Sequence, residues 1–395
     1  AVNGSPYDNT KAAAREKLIT NFAASSQIPV VYLNLVGGQD ELIFDGGSMI
    51  TDSDGNIVTQ TTRFYEETCL VDIDTPSIPT TDFATQLSHD WCVEVSEATD
   101  RTNKYEHSLT TPLSPEAELY TALVVATRDY VQKSGFTDIC LGLSGGVDSA
   151  LVATIATDAL GANHVHPVLM PSRYSSDHSL KDAQDLLARQ GIDAQTIPIE
   201  ESHQSFHNLL SPSLGNDFPG FTDENLQARI RGVLLMALSN AFGWLVLTTG
   251  NKSESAVGFS TLYGDTAGAY AVIRDVYKTQ VYELCHWRNK QEDTPVIPEN
   301  ILTKAPSAEL RPDQRDDQRL PPYEVLDPLL EAYIEGDRTR AELVNDGFDR
   351  ELVDRVVKMV DLAEYKRRQT PLGPRVTTKG FGRDRRLPVV NRYDG

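Results

Sequence analysis

From Asp138 to Asn251, short apolar segments alternate with longer segments that are apolar along one side. DICLGLS, HVHPVLMPS, AQTIPI and WLVLTTGN have the length of strands, whereas VDSALVATIATDAL, SDHSLKDAQDLLARQ and TDENLQARIRGVLLMALSNAFG have the length of helices. Nearly continuous apolar strands that alternate with helices are typical of a parallel sheet covered on both faces. The sequence therefore predicts an α/β fold with a doubly wound parallel sheet.

The segment SGGVDS begins at Ser144, where the first of these strands should end and a helix should begin. Ligands of such sheets bind beyond the carboxyl ends of the strands. Gly145 and Gly146 allow a positive φ and the close approach of an anion, and backbone N–H groups at a helix start, with nearby hydroxyls such as Ser149, bind phosphate. Asp148 would repel phosphate unless a cation lay between them, and Mg²⁺ favours one or two carboxylates plus phosphate oxygens. The segment predicts a site for ATP and Mg²⁺; a plain helix cap is the alternative.

Composition limits the class of protein. The chain has 395 residues and a net charge of −21, which argues against a nucleic-acid partner because binding a phosphate backbone needs a basic surface. No run approaches the roughly 18 apolar residues of a membrane span, and AVNGSPYDNT lacks the parts of a signal peptide, so we expect no membrane partner and a cytoplasmic location. The cysteines lack CxxC spacing and are expected to be reduced, with little support for zinc: Cys69, Cys92, Cys140 and Cys285.

The chain divides into three parts by composition. Residues 1–74 are predicted to form a helix followed by short strands, with a hairpin signal at Asp54 and Gly55, and we interpret them as the later half of a larger domain. Residues 75–112 have weak periodicity and are interpreted as a linker or arm. Residues 113–395 begin with a serine cap and a proline at the first helical position, and they contain the alternating pattern.

SGGVDS also matches the pyrophosphate loop, SGGxDS, of the ATP pyrophosphatases, a family with an adenine nucleotide alpha hydrolase-like fold. Residues 113–395 resemble the NAD synthetases of the glutamine-dependent bacterial type, through TTGNKSESAVGFSTLYGD, TKAPSAELRPDQ, EYKRRQ and TTKGFGRDRRLPVVNRY. Residues 1–74, with NGSPYDNTK and VGGQDELIFDGGS, resemble the later half of the nitrilase-like glutaminase domain of these enzymes. The resemblance thus covers nearly the whole chain.

The resemblance implies roles for residues around the triphosphate of ATP. It makes Thr249 an ATP contact and Glu254 a second Mg²⁺ ligand beside Asp148, although a helix cap is the simpler interpretation of Glu254. Lys278 would neutralise the triphosphate and is one of two candidate catalytic residues. Ser307 would reach phosphate or the metal.

The resemblance also implies a deamido-NAD site. Asn225 would contact the dinucleotide and Arg229, one helical turn later, would lie near phosphate, with a solvated helix face as the alternative. Asp265, the second candidate catalytic residue, would orient ammonia or accept its proton, unless it merely forms a turn. The resemblance also places a loop around the nicotinate ring, formed by Phe259, Ser260, Thr261 and Leu262. Lys366 and Arg367 would bind the dinucleotide phosphates, and in the family these residues act across a dimer interface.

The implied reaction is the ATP-dependent amidation of deamido-NAD through an adenylated carboxylate, with release of AMP and pyrophosphate. The family's Glu-Lys-Cys glutaminase residues would precede NGSPY, whereas Ser5 and Lys11 match its glutamine contacts. We therefore expect these 395 residues to use ammonia, as a homodimer or higher homo-oligomer, with an upstream glutaminase half as a further partner. The alternatives are another pyrophosphatase-loop synthetase and a non-catalytic nucleotide-binding module.

Overall fold

The structure is a computed structural model that describes residues 1–73, 105, 107–312 and 314–390. Cys92 and most of the interpreted linker, residues 75–112, lie outside the described residues. The chain forms two compact units: Ala1–Pro6, Thr10–Val36 and Phe44–Pro112 make the first, and Tyr7–Asn9, Gly37–Ile43 and Leu113–Gly395 make the second. The domain limits at residues 74 and 112 stay predictions.

The first unit contains a four-stranded mixed sheet. Its elements are β1 (Val2–Asn3), α1 (Lys11–Ser26), β2 (Val30–Asn34), β5 (Met49–Thr51) and β6 (Ile57–Gln60). The residues of β3 (Val36–Gln39) and β4 (Leu42–Asp45) are divided between the two units. The strand order is β1-β2-β5-β6; β1 is parallel to β2, the other two pairs are antiparallel, and β3 pairs with β4. Ile19 and Ala23 of α1 are buried against Tyr32 and Met49 of the sheet. The predicted turn at Gly55, with φ +88°, joins β5 to β6.

The second unit alternates strands with helices, as the sequence predicts. Its elements begin with α2 (Pro115–Lys133), β7 (Ile139–Gly142), α3 (Val147–Leu160), β8 (Val165–Leu169), α4 (Asp177–Gln190), β9 (Gln195–Thr196), α5 (Glu200–Leu214), α6 (Thr222–Phe242) and β10 (Leu245–Thr248). They continue with α7 (Lys252–Val257), β11 (Tyr270–Ala271), α8 (Lys278–Asn289), α9 (Glu299–Thr303), α10 (Tyr323–Ile334), α11 (Arg340–Asn345), α12 (Arg350–Leu362) and α13 (Glu364–Arg367).

The five strands of the second unit form a parallel sheet in the order β11-β10-β7-β8-β9. Successive residues of a strand point to opposite faces. On one face Cys140, Val168 and Val246 pack with Ile230 and Leu235 of α6. The other face, which receives the alternate apolar residues of β7, is packed by α3. The predicted doubly wound α/β fold is confirmed.

Two capping features explain where helices of this unit begin. Ser114 accepts a hydrogen bond from the Ala117 N–H at 3.2 Å, which confirms the predicted cap of α2. Asp349 accepts one from the Leu352 N–H at 2.9 Å at the start of α12.

The valines of α12 recur at helical spacing and are buried against α10 in a layer that the sequence analysis did not assign: Val353, Val356, Val357 and Val360. Among the described residues, no helix combines the length and apolarity needed to span a membrane.

Candidate active site

The SGGVDS loop joins β7 to α3 at the carboxyl edge of the parallel sheet. Gly145 has φ +78°, and a Cβ added there would lie 2.2 Å from the carbonyl oxygen of Ser179, so only glycine fits. The hydroxyls of Ser144 and Ser149 are 3.1 Å apart, and the Gly146 N–H donates to Ser144 Oγ at 3.2 Å. The loop is therefore preformed at the positive end of a 14-residue helix, which is an anion-binding geometry.

A lysine bridges two carboxylates beside this loop. Lys278, the first residue of α8, ion-pairs with Asp148 of α3 and with Glu254 of α7, the latter at 3.2 Å between Nζ and Oε1. The Lys278 side chain is 3% exposed. Asn251 donates to Asp148 Oδ1 at 2.8 Å and accepts from the Glu254 N–H at 2.9 Å, so it ties α7 to α3. We call Asp148, Glu254 and Lys278 the charge cluster.

The charge cluster holds two carboxyl groups and one ammonium group. Burial raises the pKa of Glu254 well above its usual range, the Asp148 and Asp316 carboxylates raise it further, and the Lys278 ammonium only partly offsets this. Burial also disfavours the charged form of Lys278, but its two carboxylate partners outweigh that effect and hold its pKa above the ordinary value. Lys278 therefore stays charged, and a further cation bound there would favour the ionised form of Glu254.

A cavity of about 320 Å³ opens over the loop and the charge cluster. This volume is within the range of small-molecule sites. The structure brings many of the predicted residues together in its wall: Ser144, Gly146, Asp148, Ser149, Thr249, Glu254, Phe259, Ser260, Asp265, Lys278 and Ser307. Nucleotide-loop residues and the residues expected around the nicotinate ring thus share one space.

Asp265 faces this cavity at the turn that follows FSTL. Its carboxylate accepts hydrogen bonds from the Thr261 N–H at 2.8 and 3.1 Å. Loss of solvent around the carboxylate raises the pKa of Asp265 to about 6. The hydrogen bond from the Thr261 N–H and the positive charges of Lys366 and Arg229 lower it, but by less. The turn role proposed as an alternative is thus present, and a carboxylate with a pKa near neutrality is also suited to proton transfer.

The two predicted residues of α6 contact the same loop from outside the cavity wall. Asn225 Oδ1 accepts a hydrogen bond from Thr261 Oγ1 at 2.8 Å. Arg229 is exposed, and its Nε donates to the Leu262 carbonyl at 3.1 Å. Both side chains therefore hold the loop that carries Asp265.

Lys366 and Arg367 lie in different surroundings. Lys366 Nζ donates to the carbonyls of Gly258 and Ser260, each at 2.7 Å, which places it beside the cavity. Arg367 is buried: it pairs with Glu364 at 3.0 Å and donates to the Ala256 carbonyl at 2.7 Å. The guanidinium of Arg367 is thus paired inside the fold, and its contact with phosphate stays a prediction.

Ser5 and Lys11 belong to the first unit. The Ser5 N–H donates to Asn34 Oδ1 at 2.9 Å, and Asn34 Nδ2 donates back to the Ser5 carbonyl at 3.3 Å. Lys11 is the first residue of α1 and is partly buried. Their predicted contact with glutamine stays a prediction.

Three residues that the sequence analysis did not select also belong to the site. Asn251 orients the Asp148 carboxylate and caps α7 through the Glu254 N–H, and its position just before KSE was a readable helix-cap signal. Lys304 donates to the Gly145 carbonyl at 3.2 Å and to Ser179 Oγ at 2.6 Å, so it secures the nucleotide loop against α4. Arg231 lines the cavity, with Nε bonded to the Met170 carbonyl at 3.0 Å, and burial lowers its pKa to about 10.

Comparison with known proteins gives matches to both parts of the chain. A model of the NAD synthase family matches residues 119–370, and a model of the carbon-nitrogen hydrolase family matches residues 3–82. The glutamine-dependent NAD(+) synthetase of Acinetobacter baylyi is 47% identical over 99% of this chain and 68% of its own length. The enzyme of the same name from Thermotoga maritima is 46% identical over 99% of this chain and 69% of its own length.

A solved structure is similar as well. It is the glutamine-dependent NAD+ synthetase from Acinetobacter baumannii in complex with adenosine diphosphate, with a TM-score of 0.67 and 44% identity over 98% of this chain and 67% of that chain. These matches confirm the nitrilase-like beginning and the NAD synthetase portion that the motifs indicate. The chain therefore belongs to the glutamine-dependent NAD(+) synthetases, a family of ligases.

Proposed function

We propose that the chain converts deamido-NAD to NAD by the net reaction deamido-NAD + ATP + NH₃ → NAD + AMP + pyrophosphate. The supporting observation is that the SGGVDS loop, the charge cluster and Asp265 face one cavity. The nicotinate carboxylate attacks the α-phosphorus of ATP, and the bond to the β-phosphate oxygen breaks. Ammonia then attacks the carboxyl carbon, and the bond from that carbon to AMP breaks.

The nucleotide loop binds the phosphates of ATP. The backbone N–H of Gly145 and the N–H groups at the start of α3 face the anion, and the hydroxyls of Ser144 and Ser149 donate to it. Thr249 and Ser307 reach the same phosphates from other parts of the cavity wall. Such fixed donors stabilise the charge that builds up on the leaving pyrophosphate, an effect of a few kcal/mol.

The donor chemistry of the charge cluster fits Mg²⁺. In the described parts of the chain no group of three or more His, Cys, Asp or Glu side chains is placed to hold a metal ion. Mg²⁺, however, commonly takes only one or two carboxylates together with substrate phosphates. Asp148 and Glu254, with Ser307, would hold it, and when bound it supplies charge neutralisation on the phosphates. Lys278 provides a second positive charge there.

Deamido-NAD occupies the side of the cavity formed by the FSTL loop. Phe259, Ser260 and Thr261, with Leu262, surround the nicotinate ring, and Asn225 orients this loop. Arg229 and Lys366 lie close enough to Asp265 to act on its charge, so they place positive charge where the dinucleotide phosphates arrive. Asp265 accepts the proton that the attacking ammonia loses.

The role of Asp265 predicts an acidic limit to the rate. Its carboxyl is ionised above its pKa of about 6 and protonated below it, and the protonated form cannot accept a proton. We expect kcat to fall with a one-proton slope below about pH 6 when the concentration of unprotonated ammonia is held constant. Asp265→Asn has a lower kcat without this slope, measured from about pH 5 to pH 8. The same acidic limb in the variant would contradict the assignment.

The function is tested by the choice of nitrogen donor. We expect NAD, AMP and pyrophosphate in equal amounts from deamido-NAD, ATP and ammonium chloride, and no NAD above background with glutamine. Of the cysteines in the described residues, Cys69 is exposed, whereas Cys140 and Cys285 are fully buried. Burial raises the pKa of both buried thiols above the usual range, to about 12 for Cys140, so neither of these two is a glutaminase nucleophile. NAD formed from glutamine by the pure chain contradicts the choice of donor, and amidation of xanthylate instead of deamido-NAD contradicts the substrate.

We also propose that the chain is a cytoplasmic homodimer. On α6, Val233 is 67% exposed and Met236 is 41% exposed, and they follow Arg229 by one and two turns on the same helix face. A second copy would cover these apolar side chains beside the proposed dinucleotide site. Sedimentation velocity of the purified chain distinguishes this dimer from a monomer.

A further inference from the structure

Asp327 is a buried carboxylate that takes no direct part in the proposed reaction. It lies in α10, is 4% exposed, and accepts three hydrogen bonds. Ser253 Oγ donates to Oδ1 at 2.5 Å, and the N–H and hydroxyl of Thr279 both donate to Oδ2 at 2.9 Å. Both partners adjoin the charge cluster in sequence, because Ser253 precedes Glu254 and Thr279 follows Lys278.

A fourth hydrogen bond closes this network. The backbone N–H of Lys278 donates to Ser253 Oγ at 2.9 Å, and that hydroxyl in turn donates to Asp327. Ser253 is fully buried. The first residues of α7 and α8 are thus joined to each other and to α10 through one carboxylate.

The charge cluster needs such a link because its members come from three helices. Lys278 must reach Asp148 of α3 and Glu254 of α7 at once, and a lysine side chain is long and flexible. The Lys278 ammonium also lies 5.4 Å from the ring centre of Tyr323, the first residue of α10. Helix α10 therefore constrains Lys278 both at its backbone and near its charged end.

We propose that Asp327 is a positioning residue: it holds the starts of α7 and α8 together so that Glu254 and Lys278 meet Asp148 at the nucleotide loop. This inference rests on the proposed function, since it assigns Asp327 a part in the ATP-dependent step.

Two substitutions test the network with little change of volume. In Asp327→Asn one carboxylate oxygen becomes an NH₂ group, which accepts no hydrogen bond, so the side chain can accept from Ser253 or from Thr279 but not from both. Thr279→Val removes one hydroxyl donor, and Thr279→Ser restores it. We expect kcat to fall about 10- to 100-fold in Asp327→Asn, with the KM for deamido-NAD unchanged, because misplacement of a catalytic group by about 1 Å costs this much. The kcat of Thr279→Val is also expected to fall, whereas the kcat of Thr279→Ser is expected to equal that of the wild type.

A second readout does not depend on activity. Brief treatment with acetic anhydride, followed by peptide mass spectrometry, measures how accessible each lysine is. Lys278 and Lys252 are both buried in the wild type; Lys252 also begins α7, but its ammonium is held separately by Asp275, Glu335 and Thr377. We expect Asp327→Asn and Thr279→Val to increase acetylation of Lys278 while Lys252 stays protected.

Asp361→Asn is the matched control. Asp361 accepts a hydrogen bond from Tyr333 of α10 at 2.7 Å, so this variant alters a carboxylate contact of the same helix. It is expected to keep the wild-type kcat and a protected Lys278. The inference is overturned if acetylation of Lys252 and Lys278 rises equally in Asp327→Asn and Thr279→Val. It is also overturned if both variants keep the wild-type kcat. If Asp327→Asn does not fold, Thr279→Val decides. A wild-type chain that forms no NAD from ammonium refutes the proposed function instead, and the acetylation pattern still tests the link.

Discussion

Asp148→Asn is expected to lower the rate of NAD formation about 10³-fold, which corresponds to about 4 kcal/mol of transition-state stabilisation. The variant loses a carboxylate that pairs with Lys278 and accepts from Asn251. A carboxamide has one NH₂ group, and either orientation points that group at the Lys278 ammonium or at the Asn251 amide. The charge cluster therefore loses its attraction for a cation and its geometry in a single substitution.

Release of AMP and pyrophosphate measures this effect, and titration of ATP in the presence of Mg²⁺ separates binding from chemistry. Asp158→Asn is a suitable control, because Asp158 lies in the same helix α3 and is also ion-paired, with Arg288 at 2.8 Å. The control is expected to retain the wild-type rate. A rate for Asp148→Asn within a few-fold of the control would remove the charge cluster from the reaction.

The parts of the fold that were predicted depend on local pattern. The apolar strands, the helices between them and the SGGVDS turn each occupy fewer than 25 consecutive residues, and their order along a parallel sheet brings Asp148 and Glu254 to one edge. The layer of α10 and α12 was not predicted, although the valines of RELVDRVVKMVDL recur at i, i+3, i+4 and i+7. No sequence motif marks this layer, and only the helical spacing of its valines indicates it.

The direction of long side chains was not predictable in the same way. Lys278 was expected to neutralise the triphosphate, which stays a prediction, but its place between Asp148 and Glu254, 130 and 24 residues away in sequence, was not predicted. No local sequence pattern predicts how α8 packs against α3 and α7. Arg367 illustrates a different cause, because adjacent residues of a helix point about 100° apart. Lys366 therefore faces the FSTL loop, while Arg367 turns inward to Glu364.

Gly145→Ala is expected to abolish ATP binding and to destabilise the second unit by about 2–5 kcal/mol. The left-handed backbone at φ +78° costs an alanine about 1–2 kcal/mol. The added Cβ also lies 2.2 Å from the oxygen and 2.9 Å from the carbon of the Ser179 carbonyl, so the neighbour is helix backbone and cannot rotate away. The loop must therefore move, and its N–H groups no longer converge on a phosphate.

Gly161→Ala separates the two causes. Gly161 follows the other end of α3 with φ +88°, and a Cβ there has no neighbour within 4 Å among the described residues. Its backbone, at φ +88° and ψ 149°, is one that only glycine adopts readily, so this control loses only a backbone contribution of about 1–3 kcal/mol and keeps its affinity for ATP. Thermal unfolding and calorimetric titration with ATP compare the two variants. Equal stability and equal ATP affinity would mean that the contact of the nucleotide loop with α4 has no part in shaping the phosphate site.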